Sequence, residues 1–209
     1  GRRSFDRRPF PCLSSLLCSA LLAEKLGKRL GLKVYDEDIA DLAARRSGIR
    51  KDYFEKVDEK PTDSFLYMLA MNTFTMNTSM NPFENTLSSD KLFNKQAEVI
   101  QEIADENDCI IIGRCAGYIL RDEPKCVKVY ISADKDFRTK RIMASDHLDE
   151  KEAQKKIYSM DKKRDSYFGY YAGQDWKACH TYDLAISTSA LGIDKAVDLI
   201  CQYIELKFK

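Results

Sequence analysis

Four short apolar runs alternate along the chain with segments of helical periodicity, and this alternation limits the fold more than any other feature of the sequence. The runs are residues 32–35, 109–112, 125–133 and 182–189. Around them, apolar residues recur at spacings of three and four, as in residues 16–31, which is typical of amphipathic helices. Strands that alternate with helices of about ten or more residues predict an α/β fold, in which a parallel sheet carries helices on both faces.

Three further segments are predicted from their periodicity and composition. Residues 90–108 are predicted to form a helix that leads into the run 109–112, and residues 148–173 a helix that ends in an aromatic turn. The stretch Met71–Asn85 is rich in Met, Asn and Thr and has no clear period, so we expect a mobile loop there.

Size and composition exclude several classes of protein. The chain has 209 residues, enough for one well-packed domain, and a formal net charge of +1. A charge this small argues against nucleic-acid and membrane-surface partners, which would require a strong basic excess. No apolar run approaches the roughly 18 to 20 residues that cross a bilayer. Seven cysteines without a C-x-x-C pair and only two histidines predict no protein-bound metal, and reduced thiols in a cytoplasmic protein.

The run 109–112 ends in Gly113-Arg114, which places a permanent charge directly after the most hydrophobic strand. Ligands of parallel α/β sheets bind outside the carboxyl ends of the strands. Asp36, Arg114 and the segment after Ser187 each follow a predicted strand, so we expect them along one rim. The alternative for Arg114 is an ion pair with an acidic neighbour such as Asp122.

Two predicted helices near this rim are rich in cations. Arg138, Lys140 and Arg141 lie on one, and Lys162, Lys163 and Arg164 lie on the other. Several guanidinium groups together bind phosphate and stabilise the charge of a migrating phosphoryl group. The alternative is that these charges form solvated helix faces.

Two carboxylates complete the candidate site. Asp36 follows the run 32–35, and Asp165 follows Arg164. Carboxylates that face such a crevice suit the amino or hydroxyl groups of a base or ribose. For Asp36, capping of the helix that starts in DEDIADL is an alternative.

Five stretches, which with their flanks cover roughly residues 26–205, carry a resemblance to a known family. They read GLKVYDEDIADLAARRSG, FEKVDEKPTDSFLYMLAM, IIIGRCAGYILRDEPKCVKVYISADKDFRTKRI, DKKRDSYFGYYAGQDW and YDLAISTSALGIDKAVDLI. This combination resembles the cytidylate kinase-like family of P-loop nucleoside monophosphate kinases. The resemblance implies a single kinase-like domain over residues 1–209 with a P-loop NTPase-type parallel sheet. It also implies a helical monophosphate-binding insert over residues 51–95 and a basic lid region over residues 134–175.

The same resemblance implies roles for the residues that bind the acceptor. Arg114 matches the arginine directed at the acceptor phosphate, and Asp36 matches an acidic position at the mouth of the monophosphate site. Asp165 resembles the aspartate that recognises the cytosine side of the acceptor. Where cytidylate kinases often carry an aspartate after Gly-Arg, this chain has Cys115, and its insert is also unlike theirs, so the base preference stays open.

For the transfer itself, Arg138, Arg141 and Arg164 match lid-region arginines that bridge donor and acceptor phosphates. The implied reaction moves the γ-phosphoryl group of ATP, with Mg²⁺, to a nucleoside monophosphate, with CMP or dCMP as the first expectation. Positioning and charge neutralisation suffice for such a transfer, so no covalent intermediate is required.

The resemblance fails at the amino-terminal phosphate loop. A kinase of this kind begins with a strand and a glycine loop of the form G-S-G-G-R, whose backbone N–H groups cradle the donor phosphates. The expected position holds Leu16, Leu17, Cys18, Ser19 and Ala20, without glycine or cation. Residues 1–15 hold four arginines and two prolines, so we predict no strand there.

Three explanations for residues 1–20 stay open. The first is a frame-shifted start joined to a normal kinase body, which an abrupt change of sequence near Leu22 favours. The second is a non-catalytic relative that binds a nucleotide or regulates a partner without turnover. The third is a twin-arginine export signal, which GRRSFDR followed by a short apolar core resembles.

Overall fold

The computed structural model describes residues 10–15, 19–36, 38–47 and 82–209, and five strands in these ranges form one sheet. The strands are β1 (Phe10–Ser15), β2 (Lys33–Tyr35), β3 (Cys109–Ile112), β4 (Cys126–Ser132) and β5 (Leu184–Ser187). They lie in the order β2-β3-β1-β4-β5, and every neighbouring pair is parallel. The predicted parallel α/β sheet is therefore confirmed.

Eight helices accompany these strands in the described part of the chain. They are α1 (Ser19–Leu30), α2 (Asp38–Ser47), α3 (Pro82–Glu106), α4 (Ala116–Ile119), α5 (Lys135–Asp146), α6 (Glu150–Ala172), α7 (Thr188–Leu191) and α8 (Ile193–Lys207). A 3₁₀ turn, Cys179–Thr181, precedes β5. Among the described helices, none is both long and apolar enough to span a membrane.

The core lies on both faces of the sheet, as alternation along the strands requires. In β3, Ile110 and Ile112 face a cluster that includes apolar residues of α1 and α8. Cys109 and Ile111 face the opposite cluster, which α2, α3 and α4 complete. Because β3 is buried on both faces, its four residues form an uninterrupted apolar run.

The prediction that residues 1–15 contain no strand is wrong for Phe10–Ser15. β1 is the central strand, paired with β4 from Phe10↔Cys126 to Ser15↔Ile131 and with β3 at Cys12 and Leu13. Pro11 has no N–H to donate, and the ladder to β3 begins only after it. The four arginines on which this prediction was based lie between residues 2 and 8. They precede β1 and lie outside the described residues.

Two predicted boundaries also change. α3 begins at Pro82, inside the predicted loop Met71–Asn85. Proline is compatible with this position, since the first turn of a helix does not need its N–H. The predicted aromatic turn is helical, since α6 runs on to Ala172 and ends only at Gly173, whose φ is 64°. The remainder of the loop, to residue 81, lies outside the described residues.

The predicted subdivisions fall partly on described residues. Residues 51–81 of the insert 51–95 lie outside them, and residues 82–95 belong to α3. The lid region 134–175 corresponds to α5 and α6 with their flanks. α6 opens with a capping box, in which the Asp149 carboxylate accepts a hydrogen bond from the Glu152 backbone N–H at 2.8 Å. The domain assignment itself stays a prediction.

Candidate functional site

A strained turn presents Arg114 at the carboxyl end of β3. Gly113, Arg114 and Cys115 have φ of 67°, 55° and 55°, so three consecutive residues adopt the left-handed conformation. For residues other than glycine this conformation costs about 1–2 kcal/mol each. The turn is closed by a hydrogen bond of 2.9 Å from the Ala116 N–H to the Gly113 carbonyl oxygen. Arg114 therefore lies where the sequence analysis expects it.

Asp122, the alternative partner considered for Arg114, lies beside Arg121. Its Oδ2 is 3.6 Å from Nε of Arg121, and its side chain is 90% exposed.

Arg138 is buried in a bidentate ion pair that joins α5 to α6. Its Nη1 and Nη2 donate to the two carboxylate oxygens of Asp161 at 2.8 Å and 2.6 Å. The side chains of Arg138 and Asp161 are only 7% and 19% exposed. Nε of Arg138 is buried without a hydrogen-bond partner. The Nε–H of this arginine is thus available to a further acceptor.

Arg164 lies in the same group of charges. Burial lowers the pKa of its guanidinium; Arg138 lowers it further, whereas Asp161 and Asp36 raise it. Its Nη1 is buried without a hydrogen-bond partner. Asp36, which follows β2, therefore lies close enough to Arg164 on α6 to act on its charge.

Tyr167, three residues after Arg164 on α6, lies near Arg114. Burial raises the pKa of Tyr167, as do the neighbouring Cys115 and Tyr171, whereas Arg114 lowers it. Burial likewise raises the pKa of the Cys115 thiol to about 12. We call Asp36, Arg114, Arg138, Asp161 and Arg164 the rim site.

Two polar residues were not predicted from the sequence: Asp161, which belongs to the rim site, and Gln96, which lies beside it. Gln96 is 1% exposed, its Oε1 accepts a hydrogen bond of 3.4 Å from the Tyr167 hydroxyl, and its Nε2 is buried without a partner. Gln96 interrupts the apolar stripe of α3, and this position could have indicated a buried polar residue. Nothing in the sequence distinguished Asp161 from its acidic neighbours.

Two predicted residues are not joined to the rim site. Arg141 is half-buried on α5 and Asp165 is exposed on α6. Within the described ranges, no hydrogen bond or ion pair connects either of them to the rim residues.

The predicted phosphate-loop position lies at the junction of β1 and α1. β1 ends at Ser15 and α1 begins at Ser19, so Ser19 and Ala20 are helical. Leu16, Leu17 and Cys18 lie outside the described residues. No group of three or more His, Cys, Asp or Glu residues that could hold a metal occurs in the described part of the chain.

Comparison with known proteins identifies the family. The model of the cytidylate kinase-like family matches residues 19–190. The chain belongs to this family. A cytidylate kinase from Sulfolobus acidocaldarius is 29% identical over 110 residues, which are 53% of this chain and 60% of that protein. The chain thus spans about six tenths of the length of the curated relatives it matches.

Solved structures agree on the fold. An uncharacterized protein from Eubacterium ventriosum has a TM-score of 0.67 at 26% identity, with 95% of this chain and 99% of that chain covered. A shikimate kinase from Bacteroides thetaiotaomicron has a TM-score of 0.52 at 10% identity, over 94% and 98% of the two chains. The second likeness is one of fold alone. The architecture is that of the P-loop kinases.

Proposed function

We propose that the chain is a nucleoside monophosphate kinase that transfers the γ-phosphoryl group of ATP to CMP or dCMP. The observation that carries the proposal is the pair of buried N–H donors without partners, Nη1 of Arg164 and Nε of Arg138. A buried donor left unsatisfied costs about 1–3 kcal/mol. Phosphate oxygens are strong acceptors that would satisfy both donors, and each bond would be strengthened by the charge.

The cations divide between the two substrates. Arg164 and Arg138 are the proposed catalytic residues, which would stabilise charge on the migrating phosphoryl group. For Arg141, which lies outside the rim site, the same role stays a prediction. Arg138 offers its Nε–H, which is buried without a partner, while one N–H of each terminal nitrogen donates to Asp161. Asp161 thereby fixes the orientation of the guanidinium, and such preorganisation is a large source of transition-state stabilisation.

On the acceptor side, Arg114 binds the phosphate of the nucleoside monophosphate. Asp36 accepts hydrogen bonds from its base or sugar. For Asp165, which is exposed and outside the rim site, the same role stays a prediction. Mg²⁺ in such sites is bound mainly through substrate phosphates and water, so we assign it no protein ligands.

A second candidate is a nucleotide-binding or regulatory module without turnover. One observation favours it: only Leu16, Leu17 and Cys18 separate β1 from α1, and none of them is glycine. Side chains at a phosphate loop obstruct close approach of the backbone to the phosphates, which is why glycine serves there.

An ADP-release assay with ATP, Mg²⁺ and CMP, dCMP, UMP or AMP tests the proposal. The chain is assayed beside a variant in which residues 16–20 are replaced by Gly-Ser-Gly-Gly-Arg. We expect phosphotransfer with CMP or dCMP in the repaired variant. Arg164→Gln in that background should lower kcat by about 10³-fold or more.

Calorimetric titration with CMP separates the two candidates. Binding of CMP without phosphotransfer in the repaired variant supports the module. Absence of both CMP binding and transfer refutes the proposed kinase and a module that binds CMP. A repaired variant whose activity survives Arg164→Gln contradicts the role assigned to Arg164.

A further inference from the structure

A second cleft lies away from the rim site, towards the amino ends of β4 and β5. Its volume is about 430 Å³. We call it the aromatic cleft and define it by six of its lining residues: Tyr118, Arg121, Lys128, Phe168, His180 and Tyr182. Lys128 is the third residue of β4, and Tyr182 shortly precedes β5. The rim residues Asp36 and Arg114 instead follow the carboxyl ends of β2 and β3.

The cleft carries more positive than negative charge. Lys128 points across Gly117, where a Cβ would lie 3.3 Å from Cγ of the lysine, so the absence of a side chain at residue 117 makes room for the stem. Among the described residues, no carboxylate forms an ion pair with Nζ of Lys128. Arg121 and the exposed His180 add two further basic groups.

The carboxylates around the cleft are already engaged. Asp175, which also lines it, accepts a hydrogen bond of 2.8 Å from the Lys177 backbone N–H. Asp183 accepts from the Lys128 backbone N–H at 2.7 Å and from Nζ of Lys207 at 2.9 Å.

Asp122, which is 90% exposed, lies 3.6 Å from Nε of Arg121 and is the carboxylate with which an anion would compete there. Lys128 has no such competitor among the described residues, so we expect it to be the main donor to an anion.

Aromatic rings form the walls, and several are fixed by other contacts. The Tyr182 hydroxyl donates to the Trp176 carbonyl oxygen at 2.8 Å, and its ring lies 5.1 Å from that of Tyr130. The guanidinium of Arg121 lies 4.4 Å above the ring of Tyr118 and donates to the Tyr118 carbonyl oxygen at 2.9 Å. Rings held in this way offer apolar area at a low entropic cost to a planar ligand.

We propose that the aromatic cleft binds a small aromatic anion, that is, a planar ring carrying a phosphate or carboxylate group. Tyr118, Phe168 and Tyr182 contact the ring, and Lys128 and Arg121 bind the anionic group. A cleft of about 430 Å³ is within the size range of small-molecule sites. The proposed site shares no residue with the rim site, so its test does not depend on the proposed kinase activity.

Two-dimensional amide NMR of the ¹⁵N-labelled full chain tests the proposal. Phenyl phosphate and benzoate supply ring and anion together, inorganic phosphate and phenol supply each alone, and CMP tests whether the ring is a nucleobase. We expect saturable shifts at Gly117, Tyr118 and Thr181 with a Kd below about 1 mM for a ring that carries an anion. Binding of each half alone should be at least about tenfold weaker.

Variants assign the site. Lys128→Met keeps the stem over Gly117 but removes the charge, and should weaken binding about tenfold. Arg121→Gln, at a half-exposed side chain, is a second variant for the case that Lys128→Met destabilises the fold. The matched control is Lys195→Met. Lys195 is an exposed residue of α8, which packs on the other face of the sheet, so this variant should leave the affinity for the probes unchanged.

Three results would overturn the proposal. The first is no saturable shift with any probe at about 10 mM. The second is shifts confined to the rim site and unaffected by Lys128→Met in a variant with an unchanged melting temperature. The third is equal weakening by Lys128→Met and Lys195→Met, which would indicate nonspecific attraction to positive charge.

Discussion

The rim site and the aromatic cleft both gather positive charge, but in different surroundings. In the rim site, the Arg138 side chain is 7% exposed and is held by Asp161 in a bidentate ion pair. In the aromatic cleft, the Arg121 side chain is 50% exposed and lies against the ring of Tyr118. Buried charges must be paired and hydrogen-bonded, whereas half-exposed charges remain solvated.

This difference affects what each site can do. Arg138 of the rim site is fixed by Asp161 before any ligand binds, which is the condition for stabilising charge in a transition state. The cations of the cleft are held by packing and retain contact with water. A ligand that binds there would replace water molecules at the N–H donors of these cations. This contrast supports the catalytic role proposed for the rim site and the reversible binding proposed for the aromatic cleft.

Removing the carboxylate of the rim pair should have the largest effect on stability. Asp161→Ala leaves the Arg138 guanidinium buried and unpaired, and should lower the free energy of unfolding by about 3–5 kcal/mol. Denaturant unfolding followed by circular dichroism measures the loss. If Asp161→Ala costs less than about 1 kcal/mol, water solvates Arg138 and the contrast between the two sites fails.

The left-handed turn before Arg114 gives a smaller effect. Gly113 has a φ of 67°, and nothing lies within 4 Å of a Cβ added there, so Gly113→Ala is costly only through the backbone. We expect a loss of about 1–2 kcal/mol in the free energy of unfolding.

The matched control is Gly117→Ala in the wall of the cleft. The added methyl group would lie 3.3 Å from Cγ of the Lys128 side chain, and alanine favours the helix by about 1 kcal/mol. This variant should be close to neutral. A loss at residue 117 as large as that at residue 113 would show that the contact with Lys128 costs as much as the left-handed backbone.

Thiol reactivity distinguishes the same two regions. Cys115 is buried beside the rim and its pKa is raised to about 12, whereas Cys179 is exposed on the 3₁₀ turn next to the cleft. At pH 8, a maleimide should label Cys179 and leave Cys115 unlabelled until the chain unfolds. Peptide mapping by mass spectrometry assigns the labelled sites. Rapid labelling of Cys115 in the folded chain would contradict its burial.

The shift at Cys115 also predicts a dependence of stability on alkaline pH. Folding raises the pKa of this thiol from 9.0 to about 12, so the folded state favours the neutral form. This contribution is complete below pH 9 and is lost as the pH rises from 9 towards 12. Unfolding of Cys115→Ala across this window should show a weaker pH dependence than that of the parent chain.

The ion pair beside the cleft should have the smallest effect. Arg121 and Asp122 lie 3.6 Å apart, with side chains 50% and 90% exposed. Asp122→Ala should change the free energy of unfolding by less than about 1 kcal/mol, since exposed pairs contribute little. The same denaturant experiment measures it, and a loss comparable to that of Asp161→Ala would remove the distinction between the sites.

Local pattern was enough to predict most of the elements. The apolar run 109–112 coincides with β3. A strand that is buried on both faces has only apolar positions, so it is recognised as an uninterrupted apolar run. The placement of Asp36 and Arg114 at one rim followed from the parallel arrangement alone. The end of α6 was misplaced, since Gly169 and the aromatic residues around it do not stop the helix before Gly173.

Other features could not be derived from local pattern. Phe10–Ser15, with a proline and no β-branched residue, has little strand signal of its own. It is a strand because β3 and β4 offer it hydrogen bonds on both sides. The burial of Gln96 against Tyr167 likewise depends on how α3 docks onto α6.

The sequence by itself determined the alternation of strands and helices, the family, and which charged residues follow the strands. Only the tertiary structure decided that Arg138 is held by Asp161, 23 residues away, while Arg141 remains outside the rim site. Periodicity reports which face of a helix is apolar, but the partner of a charge is set by the angle and height at which two helices pack. The tertiary structure therefore separated the cations that the sequence had grouped together.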